Sequence, residues 1–371
     1  MGRPTKITID LSALRNNLQQ IRKLAPNSSV LAMVKSNAYG HGLERIALAL
    51  PDAEALGVAC IEEGMFLRHA GVKNPIVLME GLFTTDELLK AAAENFTLVV
   101  HHLSQVEMLE KHSLIDPILV WLKVDTGMHR LGFNPDEIQK ISKRLMNCTS
   151  VKQPFGLMTH FAEADSLERA QTLNQIEIFN KVTDRIPGPR SLANSAGIIA
   201  WPSIHCDWVR PGIMLYGASP FQKHRGVEHH LQPVMSLSSE LIAIHYLLKG
   251  SRVGYGGIWT CPEDMLVGVV GIGYGDGYPW HAQNGTPMLV NGRPCPLIGR
   301  VAMDMISVDL RTQPEAKVGD PVLLWGPGLP VEVVAEHSNT IGYELLTRIT
   351  QRVHVTVNHQ SQVEICKEEQ A

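Results

Sequence analysis

Val30-Leu31-Ala32-Met33-Val34, running into Lys35-Ser36-Asn37-Ala38-Tyr39-Gly40-His41-Gly42, joins five apolar residues to a polar, glycine-bearing turn. Such a run reads as a strand buried on both faces, as in a parallel sheet. The same signal recurs near Leu56–Ala59, Ile76–Met79, Leu98–Val100, Ile118–Val124, Phe155–Met158, Ser191–Ala193 and Trp208–Val209. Helical spacing fills most of the gaps, at Leu43–Leu50, Glu62–Ala70, Asp86–Ala93, Val106–His112, Asp136–Met146 and Glu168–Val182. Ahead of the first run, Leu11, Leu14, Leu18 and Ile21 mark a helix behind Asp10, a good capping residue. Eight strands alternating with helices predict an α/β fold, an N-terminal (β/α)8 TIM-type barrel over residues 1–231.

From about Gln232 the texture becomes β-rich, with runs at Ser236–His245, Leu266–Ile272, Pro287–Val290, Ile306–Leu310 and Pro321–Trp325 between Gly and Pro punctuation. A helical patch over Val331–Thr350 interrupts it, and Arg352–Val357 reads as a late strand. A second, mainly β C-terminal domain over residues 232–371 is therefore expected.

Composition narrows the function. With 44% hydrophobic and 19% charged residues in 371, the chain is an ordinary globular one. Thirty-three Lys and Arg against 37 Asp and Glu give a net charge of −4, with no basic cluster to bind nucleic acid or a membrane surface. The six cysteines never come closer than 34 residues and form no Cys-x-x-Cys pair, which argues against a zinc ribbon or a disulfide scaffold. No apolar run approaches the ~18 residues of a membrane span, and the N-terminus lacks an apolar export core. A cytoplasmic location with reduced thiols is expected, which makes the Asn-x-Ser/Thr matches at Asn27, Asn95 and Asn147 chance occurrences. The adjacent pairs His101-His102 and His229-His230 lack metal-ligand spacing and read as surface residues, so no metal site is expected.

Lys35 would stand at the C-terminal mouth of the first barrel strand, where barrel enzymes place catalytic groups. An amine flanked by apolar residues can act as a Schiff-base nucleophile or a proton base, although position alone favours a lysine reaching to solvent. The stretch Ala32 to Gly42 closely resembles the pyridoxal-phosphate signature of bacterial alanine racemases. The likeness continues through Lys123-Val124-Asp125-Thr126-Gly127-Met128-His129-Arg130-Leu131-Gly132, Thr159-His160-Phe161, Asn194-Ser195 and Val209-Arg210-Pro211-Gly212-Ile213. It goes on through Gly254-Tyr255-Gly256, Gly273-Tyr274-Gly275-Asp276-Gly277, Met303-Asp304 and Gly342-Tyr343-Glu344, in family order.

The resemblance implies that Lys35 holds pyridoxal 5'-phosphate as a Schiff base and serves as the base on one face of the substrate. Tyr255, taken alone a turn residue between glycines, resembles the tyrosine that works the opposite face and reaches in from the partner subunit of a homodimer. A phenol is a poor base at neutral pH unless positive neighbours help it, and His160 and Arg210 match the residues behind that tyrosine. Arg210 also matches the arginine set against the ring nitrogen, where an acid is commoner; alone it reads as structural, packing on Trp208. Ser195, Gly212 and Ile213 fall after strands seven and eight, where barrels bind phosphate, and Tyr39 and Tyr343 resemble the tyrosines completing that cradle. Ser195 also reads as an ordinary helix cap. Arg130 resembles the arginine that contacts the cofactor's phenolic oxygen and the substrate carboxylate. Lys123 matches a lysine that is carbamylated in many members, which turns a cation into an anion orienting Arg130. Met303 and Asp304 would close the carboxylate side from the other subunit.

The implied activity is interconversion of L- and D-alanine, supplying D-alanine for cell-wall peptidoglycan. A serine, lysine or broad-specificity racemase, a related decarboxylase, or a pyridoxal-phosphate carrier or regulatory protein are the alternatives. Bulky Tyr274 and Tyr343 match the small-substrate pocket, and carrier proteins lack a β domain with Tyr255. The sequence departs from some relatives at Ser36 and Gly254, where Ala and Ser also occur, and at Ala302, without touching a proposed proton donor.

Overall fold

Asp10 ends a strand and starts a helix. Its carboxylate accepts from the backbone N–H groups of Ser12 at 2.8 Å and Ala13 at 3.1 Å, so helix Leu11–Leu24 begins capped, with Leu14, Leu18 and Ile21 buried. The computed structural model describes residues 2–358 except 167 and 169; Cys366 lies outside the described residues. They form two compact units, one of residues 18–38 and 42–215, the other of 2–17, 39–41 and 216–358.

Strand β1 (Lys6–Asp10) precedes the barrel. The barrel itself is β2 (Ser29–Met33), β3 (Ala55–Val58), β4 (Ile76–Leu78), β5 (Thr97–Val100), β6 (Val120–Lys123), β7 (Gly156–Met158), β8 (Arg190–Asn194) and β9 (Trp208–Arg210), all parallel and closed by β2 on β9 through Val30 and Val209. Strands β3 to β7 are buried at every residue, because side chains fill the barrel and helices cover it. Helices Leu43–Leu48, Ile61–His69, Thr85–Ala93, Leu103–Lys111, Ile138–Asn147 and Ala170–Thr183 lie where the spacing puts them. Gly156 sits in register with Trp121, and a Cβ there would run into the indole, which packs edge-on against Trp208.

The second unit is built on β10 (Met235–Leu247), the hairpin strands β11 (Arg252–Val253) and β12 (Trp259–Thr260), β13 (Met265–Val270), β14 (Pro287–Val290), β15 (Arg293–Ile298), β16 (Ile306–Asp309), β17 (Pro321–Trp325) and β18 (His354–Asn358). Its main sheet runs β13-β16-β15-β14-β17-β10-β1-β18, and β10 pairs also with β13, so the sheet returns on itself. At thirteen residues, β10 is long enough to serve both: its first half pairs with β1 and β17 and its second with β13, with register shifts between. The expected helical patch is two short helices, Val331–His337 and Gly342–Thr347.

Several elements differ from the sequence expectation, among them the short hairpin β11–β12, which no apolar run announces. β1 belongs to the second unit's sheet, pairing with β10 and, in parallel, with β18, so the N-terminus is part of the β architecture. β15 carries Pro294 and Pro296, which argue against a strand; its pairing with β16 runs only through Leu297 and Ile298, beyond both prolines. No helix among the described residues is long and apolar enough to cross a membrane.

Candidate active site

Apart from Arg130, the candidates on the barrel stand at or just beyond the C-terminal end of a strand. Lys35 follows β2 by two residues, Lys123 ends β6, His160 follows β7, Asn194 ends β8 with Ser195 next, and Arg210 ends β9 with Gly212 and Ile213 next. Arg130 lies in the loop after β6, whose shape is set locally: Asp125 accepts from the backbone N–H groups of Gly127, Met128 and His129 at 3.0, 3.1 and 3.0 Å. The loop is closed by Asp125 N to Phe133 O (2.9 Å) and Phe133 N to Lys123 O (3.0 Å). Gly132, at φ +130°, lies so close that a Cβ would strike the Asp125 backbone. Arg130 is thereby left exposed at the mouth.

Charge at this mouth is lopsided. Burial pushes the Lys123 amine down to about 8, and the positive charges of Arg210, Arg130 and Lys35 push the same way, opposed by Asp125. His160 is held well below the usual imidazole range by its withdrawal from water and by the same cations together with Lys123, so it is neutral at physiological pH. Burial lowers Arg210 to about 10, which leaves it a cation at neutral pH. Its Nη1 donates to Ser191 Oγ at 2.6 Å, and Nη2 to the Thr159 and Leu192 carbonyls at 2.6 and 3.1 Å; Nε takes part in none of these bonds. Arg210 is thus fixed by hydrogen bonds to strand ends, while Trp208 packs edge-on against Trp121.

Ser195 does not cap its helix. Asn194 does, its Oδ1 accepting from Gly197 N at 2.9 Å, while Ser195 Oγ accepts from Gly212 N at 2.9 Å and Met214 N at 3.5 Å. Two backbone N–H groups thus converge on one hydroxyl oxygen, a donor arrangement that a phosphate oxygen would satisfy equally.

Beyond Lys35, residues Ser36, Asn37, Ala38 and Tyr39 all take left-handed backbone angles, φ 55, 53, 52 and 52°. Non-glycine residues pay roughly 1–2 kcal/mol each for this, so the conformation persists only where its surroundings enforce it. Ser36 N donates to Glu63 at 2.8 Å, Gly42 N to Asn37 O at 3.0 Å, and Leu43 N to Asn37 Oδ1 at 2.9 Å. The second unit brings Tyr39 and Tyr343 together at 6.1 Å between ring centroids, and Tyr216 stacks on Tyr39 at 4.7 Å. Burial raises the Tyr39 phenol to about 12, making it a hydroxyl donor throughout the physiological range.

Tyr255, Met303 and Asp304 lie on loops of the second unit. Tyr255 is 71% exposed, between Gly254 and Gly256, both at positive φ; Met303 is 52% exposed. Asp304 is exposed and paired with Arg352 at 2.5 Å, which keeps its carboxyl below the ordinary value.

Sequence reasoning missed the polar residues that hold the mouth. Thr159 Oγ1 bonds Thr126 Oγ1 (2.8 Å) and the Val124 carbonyl (2.9 Å), and Gln175 donates to Thr126 and to the His160 carbonyl, both at 3.1 Å. Gln175 sits fully buried on the helix after β7; a polar residue on an otherwise core-facing position is the only signal that marks it. Of the paired histidines, His102 and His230 are exposed, but His101 and His229 are half-buried, a correction to the surface reading. His101 reaches the Glu80 carbonyl at 2.8 Å and tucks in against the fold.

The family model "Alanine racemase, N-terminal domain" matches residues 9–220, and "Alanine racemase, C-terminal domain" matches residues 234–357. The chain belongs to the alanine racemase family. An alanine racemase of Coxiella burnetii is 52% identical over 358 residues, covering 95% of this chain and 98% of its own. The crystal structure of the biosynthetic alanine racemase from Pseudomonas aeruginosa superposes with a TM-score of 0.94 at 43% identity, covering 96% of this chain and 100% of that one. The Bartonella henselae alanine racemase, solved with covalently bound pyridoxal phosphate, matches at TM-score 0.86 and 28% identity, covering 96% of this chain and 100% of its own. In the family's terms, the cations at the barrel mouth and the exposed loops of the second unit each lie within a matched domain.

Proposed function

We propose that this protein interconverts L- and D-alanine with pyridoxal 5'-phosphate as cofactor, in the cytoplasm, supplying D-alanine for cell-wall peptidoglycan. The observation that carries this reading is the cation-rich barrel mouth, where Lys35, Lys123, Arg130 and Arg210 act together against Asp125. Such a set calls for an anionic occupant, and its chemistry fits this cofactor: a strand-end amine for the carbonyl, converging N–H groups for phosphate, and a fixed guanidinium.

Ser195, Gly212 and Ile213, with Tyr39 and Tyr343, would hold the phosphate; Lys35 would hold the carbonyl carbon, and Arg210 with His160 would border the ring. Bound there, pyridoxal phosphate supplies an electron-withdrawing system that acidifies the α-hydrogen of the substrate. Lys35 Nζ takes or returns that proton on one face, and Tyr255 Oη does so on the other. Arg210, still a cation at neutral pH, donates a hydrogen bond without yielding its proton. Arg130 holds the substrate carboxylate, and Lys123, once carbamylated, would orient it; Met303 and Asp304 close that side.

The division at residues 231 and 232 belongs to this reading, with the barrel binding cofactor and the β domain bringing the second base. So does a homodimer with shared sites, supported by the exposure of Tyr255 and Met303 in the single chain. The test is a panel of L-amino acids followed by circular dichroism with purified protein. Loss of ellipticity from L-alanine well ahead of L-serine and L-lysine is expected. A flat alanine trace with cofactor present would overturn the assignment.

A further inference from the structure

Asp276 is a carboxylate with 1% of its side chain exposed, and two arginines from distant parts of the chain converge on it. Arg3 grips it with both prongs, Nη1 to Oδ1 at 2.8 Å and Nη2 to Oδ2 at 2.9 Å. Arg352 Nε approaches Oδ1 at 3.5 Å. Both arginines also reach the next loop: Arg3 Nη2 donates to the Asp304 carbonyl at 2.9 Å, and Arg352 Nη2 to Asp304 Oδ1 at 2.5 Å.

The two loops they join are also zipped through their backbones. Tyr274 N donates to Ala302 O at 3.0 Å and Gly275 N to Met303 O at 2.9 Å, while Ala302 N to Met305 O at 3.0 Å closes the turn that presents Met303 and Asp304. Close approach is built in. A Cβ on Gly273 would collide with the Ala302 carbonyl, and one on Gly275 with the Arg352 guanidinium. Thr350 secures the far side, its Oγ1 donating to Gly275 O at 2.9 Å.

An exposed turn is ordinarily among the softest parts of a fold. This one is fixed by forked, charge-assisted bonds that a buried carboxylate anchors, more than an unused loop needs. We propose that Arg3 and Arg352 are positioning residues for substrate binding, setting the Met303-Asp304 turn through Asp276 and Asp304; this rests on reading Met303 and Asp304 as substrate contacts. The N-terminal segment, far in sequence from every signature motif, thereby enters the function.

The experiment compares the holoenzyme with Arg352→Gln, Met303→Ala and the double variant Arg3→Ala/Asp276→Asn, which loosens the clamp without stranding a buried charge. KM and kcat for L-alanine are measured with cofactor content, and hydrogen exchange of the Tyr274 and Gly275 amides is followed in the cofactor-free proteins. In both clamp variants KM is expected to rise about fivefold or more with kcat within about twofold and native cofactor content. The two amides should exchange about tenfold faster or more. Raised KM in Met303→Ala with unchanged KM in both clamp variants would overturn the clamp and leave the reading of the turn standing. Unchanged KM in all three would bring down both. Unaltered exchange at the two amides would also overturn the clamp.

Discussion

At the barrel mouth the charges of Arg210, Arg130 and Lys35 bear on Lys123, with Asp125 as the opposing carboxylate, whereas in the β unit Arg3 and Arg352 are matched by Asp276 and Asp304. The first set is electrically unbalanced, with Lys123 and Arg210 buried and Arg130 exposed; the second is balanced and holds loops that stand in solvent. Buried cations such as Lys123 and Arg210, set without a matching carboxylate, cost stability, which an anion bound beside them offsets. A balanced one fixes shape, here that of the turn that presents the exposed Met303. Chemistry is stored as charge at the barrel mouth and as geometry in the β unit.

The sharpest way to break it is at Lys35. Lys35→Ala should lower racemisation by about three orders of magnitude or more, since it removes one proton-transfer group. Borohydride treatment of the native holoenzyme should leave cofactor on the peptide containing Lys35. Peptide mass spectrometry reads this directly, and an adduct on another lysine would reassign both bases.

Arg210→Glu attacks the unbalanced set from within. The new carboxylate would face the Thr159 and Leu192 carbonyls, which now receive donors, leaving a buried charge without partners. A loss of about 3–5 kcal/mol in urea unfolding is expected. In the molecules that still fold and bind cofactor, transamination should rise relative to racemisation, because an acid beside the ring nitrogen strengthens the electron sink. Unchanged partitioning would remove Arg210 from that role.

Lys123 gives the comparison a pH signature. Its amine lies near 8 in the native chain against an ordinary 10.5. Between these values the unfolded lysine binds a proton that the native one has released, so stability rises with pH across that window. In carbonate-free buffer, urea melts from pH 8 to 10.5 should show this slope, and Lys123→Met should flatten it. The smallest effect belongs to a site outside both regions: Asp10→Ala loses the cap on Leu11–Leu24, about 1 kcal/mol. Activity per folded molecule should not change.

Much of the fold was legible because a barrel strand is apolar throughout and ends in a polar loop, as Val30 to Lys35 shows. Lys35 was legible for the same reason, its place after its strand fixing it at the mouth, whereas Lys123, Arg130 and Arg210 were picked out by the resemblance. What holds them was not. Gln175, Thr126, Thr159 and Ser191 are polar residues whose importance lies in bonds between strands, and nothing in their local spacing announces that. The left-handed run over Ser36 to Tyr39 was equally hidden, since none of those four side chains demands positive φ. β1 alternates buried Ile7 and Ile9 with polar neighbours, but its partners in β10 and β18 lie more than 200 residues away. β15 was masked by its two prolines.

In the proposed dimer, charge in one chain is completed by geometry from another, and mixing two inactive variants puts this to the test. Lys35→Ala lacks the barrel base and keeps the exposed loop, while Tyr255→Phe keeps the barrel and lacks the loop's phenol. If the sites are shared, each heterodimer has one site with both groups intact. Racemisation should then climb from near zero toward about half the native rate in the fraction that exchanges subunits, followed independently by native mass spectrometry. Heterodimers demonstrated in the same sample without recovered activity would contradict it.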